Sequence, residues 1–185
     1  MQAIGTFFLA AWVAFWGYWI IAAAGAKSQV PRAGAATGVG IRLGIVLLIF
    51  LLVRTRALGG DAGLIHIPAV QGLGVVLFVA GLGLAIWARL YLGRNWGMPM
   101  SEKVDPELVT SGPYRYVRHP IYSGVILAMV GTGLAVGLYW LIVAAVMGVY
   151  FIYSATVEER NMARLFPATY PAYRQHTKML IPFLL

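Results

Sequence analysis

A long run without charged side chains, Ile121 to Val157, constrains the fold more than any other feature. As one continuous helix it would be about 55 Å long at 1.5 Å per residue. The hydrocarbon core of a bilayer is only about 30 Å thick, so one straight span does not fit, whereas half the run does. Gly137 lies near the middle and is followed by Tyr139 and Trp140, aromatic residues typical of a membrane interface. The run therefore predicts a helical hairpin.

The residues that flank this run predict a polar site at the mouth of the hairpin. Arg118 and His119 precede the run, and Glu158 and Glu159 follow it. A hairpin would bring both ends to the same membrane face. Two simpler interpretations stay open at this point, because charged residues commonly cap helix ends and anchor helices at interfaces.

The composition indicates an integral membrane protein, since 61% of the residues are hydrophobic and only 11% are charged. Cysteine is absent, which excludes disulfides and thiolate chemistry. His66, His119 and His176 are too scattered for a helix-spaced ligand set, so we expect no metal. The net charge of +8 comes without a separate basic arm, so we expect no nucleic-acid partner.

We predict an all-α, polytopic membrane protein with about five transmembrane helices in a single domain, 1–185. The first predicted helix lacks the basic start of a signal peptide, so we count it as a span. The second is the least certain, because its apolar part, 43–53, is too short to cross the bilayer without extension past Arg42. The predicted spans are 3–26, about 36–53, 68–92 and the two arms of the hairpin.

Basic residues predict the orientation of these spans. Most lie in the first loop, the long polar segment 93–119 and the tail, whereas only Arg54 and Arg56 lie on the other side. By the positive-inside rule the amino terminus is outside and the carboxyl terminus is cytoplasmic, so the polar site is cytosolic. The majority set is Lys27, Arg32, Arg42, Arg89, Arg94, Lys103, Arg115, Arg118, Arg160, Arg164, Arg174 and Lys178.

Two further patterns concern local structure. Four glycines of the third span, Gly72, Gly74, Gly81 and Gly83, suit close helix packing and lack the strand context of a dinucleotide-binding motif. After the hairpin, we expect helix to about Phe166, breaks at Pro167 and Pro171, and a tail along the membrane surface.

The second half of the chain carries a family resemblance. The segment Gly112-Pro113-Tyr114-Arg115-Tyr116-Val117-Arg118-His119-Pro120-Ile121-Tyr122-Ser123-Gly124, preceded by Leu108-Val109, resembles the signature of the isoprenylcysteine carboxyl methyltransferase family and its bacterial phospholipid-methyltransferase-like relatives. The pair Glu158-Glu159 and the earlier segment Leu92–Trp96 fall in the same order. The resemblance covers residues 92–185, the methyltransferase-like core, whereas the three spans in 1–92 carry no signature.

This resemblance implies a methyltransferase that uses S-adenosyl-L-methionine at the cytosolic mouth, in a bacterial inner membrane. Carboxylates suit the ribose hydroxyls and amino group of that cofactor, basic groups suit its carboxylate, and aromatic faces suit its sulfonium. The implied cofactor contacts are Leu108, Val109, Tyr114, His119, Pro120, Ile121, Tyr122 and Glu158.

The same resemblance implies acceptor contacts at Asn95, Trp96, Arg118 and Ser154, and it assigns no catalytic residue. Eukaryotic members carry an arginine where this chain has Ser154, and a histidine where it has Pro106. The acceptor therefore stays open among lipophilic or small carboxylates, thiols and amines, with membrane lipid as a further partner. The sequence does not indicate the oligomeric state.

Two other functions are compatible with a polar site in a membrane protein. Sterol reductases, which use NADPH, share distant features of this carboxyl-terminal region but are much longer. A non-catalytic membrane binding protein would keep the helices and bind no cofactor. Titration with S-adenosylmethionine and NADPH distinguishes these functions.

Overall fold

The computed structural model describes residues 2–23, 25, 29–30, 40, 44, 67–97, 102–103 and 106–182. Five α-helices dominate this part of the chain, together with two short 3-10 turns and two strands of two residues each. The helices are α1 (Gln2–Ala23), α2 (Pro68–Leu92), α3 (Pro120–Ala135), α4 (Tyr139–Leu165) and α5 (Tyr170–His176). The 3-10 turns are Gly93–Asn95 and Gly112–Arg115, and the strands are β1 (Gln29–Val30) and β2 (Glu102–Lys103).

Three helices, α1, α2 and α4, are long and apolar enough to cross a membrane. The chain is therefore an integral membrane protein. Helix α3 is also apolar but has only 16 residues. The predicted second span lies outside the described residues, so the total of five spans stays a prediction.

The hairpin predicted from the uncharged run is confirmed. The chain reverses between Ala135, the last residue of α3, and Tyr139, the first of α4. Gly137 is buried in this turn, and its carbonyl accepts a hydrogen bond from the Trp140 amide at 3.1 Å. Both polar ends of the run therefore lie at the same end of the hairpin.

Helices α2 and α3 pack antiparallel along a line of glycines that we call the glycine seam: Gly74 and Gly81 on α2, Gly124 and Gly131 on α3. A Cβ atom built on Gly81 would lie 2.5 Å from the Gly124 carbonyl oxygen, and one on Gly74 would lie 2.7 Å from the Gly131 carbonyl oxygen. Side chains are therefore excluded here, and the backbones touch.

Of the four glycines that the sequence assigns to packing, only two take part. Gly74 and Gly81 belong to the glycine seam, whereas the prediction is wrong for Gly72 and Gly83, which are exposed and where a Cβ atom would meet nothing within 4 Å. Gly72 and Gly83 each lie two residues from a seam glycine. Because a helix turns about 100° per residue, both therefore point away from α3.

Helix α1 lies against α2 and α3 through its aromatic face. The rings of Phe8 and Phe78 are 4.3 Å apart, and the Trp12 indole donates a 3.3 Å hydrogen bond to the Thr132 hydroxyl. At the other end of α1, the Ala22 carbonyl accepts a hydrogen bond from Arg89. Helices α1 and α2 are therefore parallel.

The all-α class is confirmed for the described residues, apart from one short antiparallel pairing of β1 with β2, in which Gln29 faces Lys103 and Val30 faces Glu102. One local prediction is wrong. Pro171 does not break a helix but lies in the first turn of α5, where a missing N–H leaves no hydrogen bond unmade.

Candidate functional site

The two ends of the hairpin meet in a cluster that we call the polar mouth: Arg118, His119, Tyr122, Glu158 and Glu159. His119 lies between the two carboxylates. Its Nδ1 atom is 3.5 Å from Glu158 Oε2, and its Nε2 atom is 3.5 Å from Glu159 Oε1. The predicted meeting of imidazole and carboxylate is thus confirmed, and one small molecule could contact both.

Glu159 has the structural role in this cluster. Arg118 Nε donates to Glu159 Oε1 at 2.7 Å, and both side chains are less than one-tenth exposed. Arg174, from α5, approaches Glu159 Oε2 at 3.4 Å from the solvent side. The carboxylate therefore joins the end of α4 to the loop before α3 and to the tail.

Glu158 is the more accessible carboxylate, since 26% of its side chain is exposed. The Tyr122 hydroxyl donates a hydrogen bond to its Oε1 atom. The Tyr122 ring is stacked between His119, at a centroid distance of 5.4 Å, and Phe151, at 4.5 Å. An aromatic column thus leads from the apolar interior to a carboxylate that a ligand can reach.

Backbone contacts with the tail fix the loop that carries His119. The Arg118 amide donates to the Lys178 carbonyl at 2.8 Å, and the His119 amide donates to the Met179 carbonyl at 3.0 Å. One turn into α3, the Ser123 hydroxyl bonds to the Leu180 carbonyl at 2.5 Å. Pro120 then begins α3, which suits it because the first helical position needs no N–H donor.

The carboxylates control the protonation of His119. Burial alone would lower the pKa of this imidazole, but attraction to the nearby carboxylates of Glu158 and Glu159 outweighs it and raises the pKa above the ordinary value. The ring therefore holds its proton to a higher pH than a histidine in water. When the ring is protonated, its positive charge lies between two carboxylates.

Tyr114 extends the polar mouth towards the end of α2. Burial raises the pKa of its hydroxyl, repulsion from Glu158 and Tyr173 adds to the effect, and the charge of Arg89 opposes it. Its backbone carbonyl accepts a 2.6 Å hydrogen bond from the Tyr173 hydroxyl. Tyr114 is therefore within electrostatic range of both Glu158 and Arg89.

A second polar group surrounds Arg89 at the end of α2. The guanidinium carbon lies 4.8 Å from the centroid of the Trp96 ring, and the two terminal nitrogens donate to the Gly93 and Ala22 carbonyls, each at 2.6 Å. Asn95 is buried in the 3-10 turn that follows and donates to Glu107 at 3.0 Å. Two of the implied acceptor contacts, Asn95 and Trp96, thus belong to this group.

The remaining residues implied by the resemblance lie around these two groups. Leu108 and Val109 are half-buried in the segment that leads to the turn of Tyr114, Pro120 is buried, and Ile121 is half-buried beside it. Ser154 is fully buried one turn before Glu158 on α4. The structure therefore brings His119, Tyr122 and Glu158 into contact, and it places Ser154 on the membrane side of Glu158.

Four buried polar atoms in the described part of the chain lack a hydrogen-bond partner: Arg89 Nε, Asn95 Oδ1, His119 Nε2 and Ser154 Oγ. Such atoms are rare in folded proteins, because each costs about 1–3 kcal/mol. They include donors and acceptors, and three of the four residues are implied site residues. This set fits a small polar ligand that carries both kinds of group. Among the same described residues, no three histidine, aspartate or glutamate side chains are grouped to hold a metal ion.

Sequence reasoning missed the roles of Glu159, Arg174 and Arg89. The four-residue spacing of Phe151, Ala155 and Glu159, all buried, marks the inner face of α4 and could have indicated that Glu159 is the enclosed carboxylate. No sequence pattern indicates that α5 returns Arg174 to the hairpin. Arg89 lies in a span that carries no signature.

The part of the chain that contains this site is similar in sequence to known proteins. Residues 70–169 match the phospholipid methyltransferase family. The chain belongs to this family. The match includes α3, α4 and the polar mouth, so the family suspected from the motif is confirmed.

Three relatives are similar to parts of the chain. It is 37% identical to methanethiol S-methyltransferase 1 of Bradyrhizobium diazoefficiens over 44% of its own length and 28% of the relative. It is 34% identical to protein-S-isoprenylcysteine O-methyltransferase of Schizosaccharomyces pombe over 52% of its own length and 43% of the relative. It is 25% identical to methanethiol S-methyltransferase of a Pseudomonas species over 74% and 56%. The chain thus covers between about a quarter and just over half of these relatives.

Proposed function

We propose that this chain is an integral membrane methyltransferase that takes its methyl group from S-adenosyl-L-methionine. The observation that carries the proposal is the junction of His119, Tyr122 and Glu158 at the mouth of the hairpin, inside the segment that matches a methyltransferase family. A carboxylate, an imidazole and an aromatic face converge there. The His119 Nε2 atom approaches Glu159 only at 3.5 Å and makes no closer hydrogen bond, which fits a polar ligand.

When bound, S-adenosyl-L-methionine would supply a methyl group on a positively charged sulfur. Glu158 accepts hydrogen bonds from hydroxyl or amino groups, and its exposure leaves it open to a ligand. The Tyr122 ring can stabilise a nearby cation, since aromatic faces attract positive charge. Tyr114, Pro120 and Ile121 form the wall next to these groups in our proposal, and Leu108 and Val109 the entrance.

The contribution of the protein to the reaction is mainly alignment and the exclusion of water. Methyl transfer needs the acceptor atom placed behind the methyl carbon, and holding both reactants in that geometry supplies much of the rate. The stack of the half-buried Tyr122 on the buried Phe151 and the apolar hairpin below it keep water from that side. No residue is assigned as a general base.

For the acceptor, we propose a small or lipophilic molecule whose reacting end is a thiol. The segment from Ile121 to Val157 carries no charged side chain, and the residue one turn before Glu158 is Ser154. A carboxylate acceptor approaching from the membrane side would therefore lack a cationic partner on the hairpin. Relatives named methanethiol S-methyltransferase agree with a thiol acceptor.

We further propose that the polar mouth faces the cytosol of a bacterial cell, with the amino terminus outside. The excess of basic residues on that side supports this orientation through the positive-inside rule. A soluble cofactor would then have direct access. The chain has no cysteine, so Ile67→Cys and Arg160→Cys each introduce a single thiol. In intact cells, a membrane-impermeant thiol reagent should label the first variant and not the second, and the opposite pattern would reverse the orientation.

A ligand titration tests the function. The purified protein in nanodiscs is titrated calorimetrically with S-adenosylmethionine, S-adenosylhomocysteine and NADPH. We expect saturable binding of the first two and none of NADPH. Binding of NADPH alone would favour the reductase, and no binding of any of the three would favour a non-catalytic protein.

A second experiment tests the acceptor. Transfer of label from methyl-labelled S-adenosylmethionine is measured with methanethiol, longer alkyl thiols, a farnesylated cysteine and phosphatidylethanolamine. We expect labelled product with the thiols. Product only with the farnesylated cysteine or the lipid would contradict the thiol proposal while supporting methyl transfer.

A further inference from the structure

Arg89 is a buried cation with an incomplete set of partners. Its side chain is on the last turn of α2, and the residue is only 5% exposed. A guanidinium has five N–H donors. Two nitrogens bind the Gly93 and Ala22 carbonyls, whereas the Nε atom has no hydrogen-bond partner.

The other buried basic groups of the described residues already have carboxylate partners. Arg118 is paired with Glu159 at 2.7 Å, and His119 is 3.5 Å from both Glu158 and Glu159. No such ion pair exists for Arg89 among the described residues. The face of the Trp96 ring lies against its guanidinium, but buried charges normally require a closer partner of opposite charge.

The position of Arg89 connects it to the polar mouth. The turn that carries Tyr114 packs on the end of α2, where Gly112 lies against the Tyr91 ring. Tyr114 interacts electrostatically both with Arg89 and with Glu158. A ligand that contacts Glu158 and lies along Tyr114 would therefore extend towards the guanidinium. Asn95, on the turn after α2, adds an unpaired amide oxygen in the same region, and an amide oxygen accepts hydrogen bonds from an ammonium group.

We propose that Arg89 binds the carboxylate of the methyl donor, with Asn95 next to its amino group. This inference rests on the proposed function, because the donor carries one carboxylate and one ammonium group at its amino-acid end. The carboxylate supplies the anion that Arg89 lacks, in the charge-assisted, bidentate geometry that arginine favours. Arg89 becomes a cofactor-binding residue that the motif does not include.

Another role for Arg89 predicts a different result. The two carbonyls that it binds lie at the ends of α1 and α2, and a cation there interacts favourably with the helix dipoles. If this capping were its whole role, a substitution would affect every ligand of the site equally. If the anion came from an acidic acceptor, only the affinity for that acceptor would fall.

Two ligands that differ only at the amino-acid end separate these roles. S-adenosylhomocysteine has this end, and 5′-methylthioadenosine lacks it. Binding of both is measured calorimetrically for the full-length wild type, Arg89→Gln and the control Arg94→Gln, an exposed arginine in the adjacent turn. We expect Arg89→Gln to weaken the binding of S-adenosylhomocysteine about tenfold or more and that of 5′-methylthioadenosine less than about twofold. Arg94→Gln should change neither affinity.

Each other outcome contradicts the proposal. Equal losses for both ligands would show that Arg89 only caps the helices, and no loss for S-adenosylhomocysteine would show that Arg89 does not bind the methyl donor. If Arg89→Gln does not fold, the wild type is titrated with decarboxylated S-adenosylhomocysteine, which we expect to bind about tenfold more weakly than the parent compound, and equal affinities would overturn the inference. A wild type that binds neither adenosyl ligand would instead refute the proposed function itself.

Discussion

The glycine seam and the polar mouth are held together by opposite means. In the seam, α2 and α3 touch because Gly81 and Gly124 have no side chains. In the mouth, the same α3 is joined to α4 and to the tail by long charged side chains, Arg118 and Glu159 among them. The seam has no room for an added atom, whereas the mouth leaves the Glu158 carboxylate partly exposed to a ligand. Stability and ligand binding are therefore expected to depend on different residues.

The largest expected effect is on the seam. A Cβ atom on Gly81 would lie 2.5 Å from the Gly124 oxygen and from the Ala128 nitrogen, so Gly81→Ala must push two backbones apart. We expect a loss of about 3–4 kcal/mol in the free energy of unfolding, measured by denaturant titration in micelles. Gly83→Ala, on the same helix with open space around it, serves as control. Equal effects of the two substitutions would show that the seam does not set stability.

The next effect concerns the structural carboxylate of the mouth. Glu159→Gln keeps the shape of the side chain but leaves Arg118 buried without an anion, which we expect to cost about 2–3 kcal/mol of stability. Denaturant titration measures it, and Arg160→Gln, at the exposed neighbouring position of α4, is the control. If Glu159→Gln left the stability unchanged, Glu159 would not have a structural role that distinguishes it from Glu158.

A smaller effect on the fold, but a direct one on ligands, is expected at the accessible carboxylate. Glu158→Ala should weaken the binding of S-adenosylhomocysteine by about 1.5–3 kcal/mol, since a charge-assisted hydrogen bond is lost. His119→Ala should also weaken it, whereas His176→Ala, exposed at the end of α5, should not. Calorimetry gives the affinities. If His176→Ala were as harmful as His119→Ala, the site assignment would be wrong.

The smallest expected effect is on the pH dependence of stability. The folded pKa of His119 is raised, so its contribution is complete below its unfolded value of about 6.5 and is lost as the pH rises through the folded pKa. The unfolding temperature of the ligand-free protein should therefore fall as the pH rises above about 6.5. His119→Gln should flatten this slope. Parallel slopes for the two proteins would mean that the imidazole is uncharged in the folded state.

Much of the fold could be predicted because bilayer thickness limits how long an uncharged helix can be. This constraint located the hairpin turn near Gly137 and the meeting of His119 with Glu158. The start and end of α2 were also predicted, from Pro68 and from the polar segment after Leu92. In each case the governing pattern is local in sequence.

The rest depends on contacts between distant segments, which no local pattern encodes. Which glycines of α2 face α3 depends on the rotation of one helix against another, so Gly72 and Gly83 were assigned wrongly. The enclosed position of Glu159 depends on Arg174, which only the return of α5 brings near. The partners of Arg89 come from α1 and from the turn after α2, so its isolation from carboxylates in the described part of the chain is visible only in three dimensions.

The tail contacts the site loop through its main chain, since the carbonyls of Thr177, Lys178, Met179 and Leu180 are the acceptors. Every amino acid presents the same carbonyl group, so side-chain exchanges at the exposed Lys178 should be largely silent, whereas the side chains of Thr177 and Leu180 are buried. A scan of point variants would then miss much of what this segment does, whereas removing it would release the histidine loop. Editing the chain at this end, by fusion or by shortening, is consequently a change to the site itself.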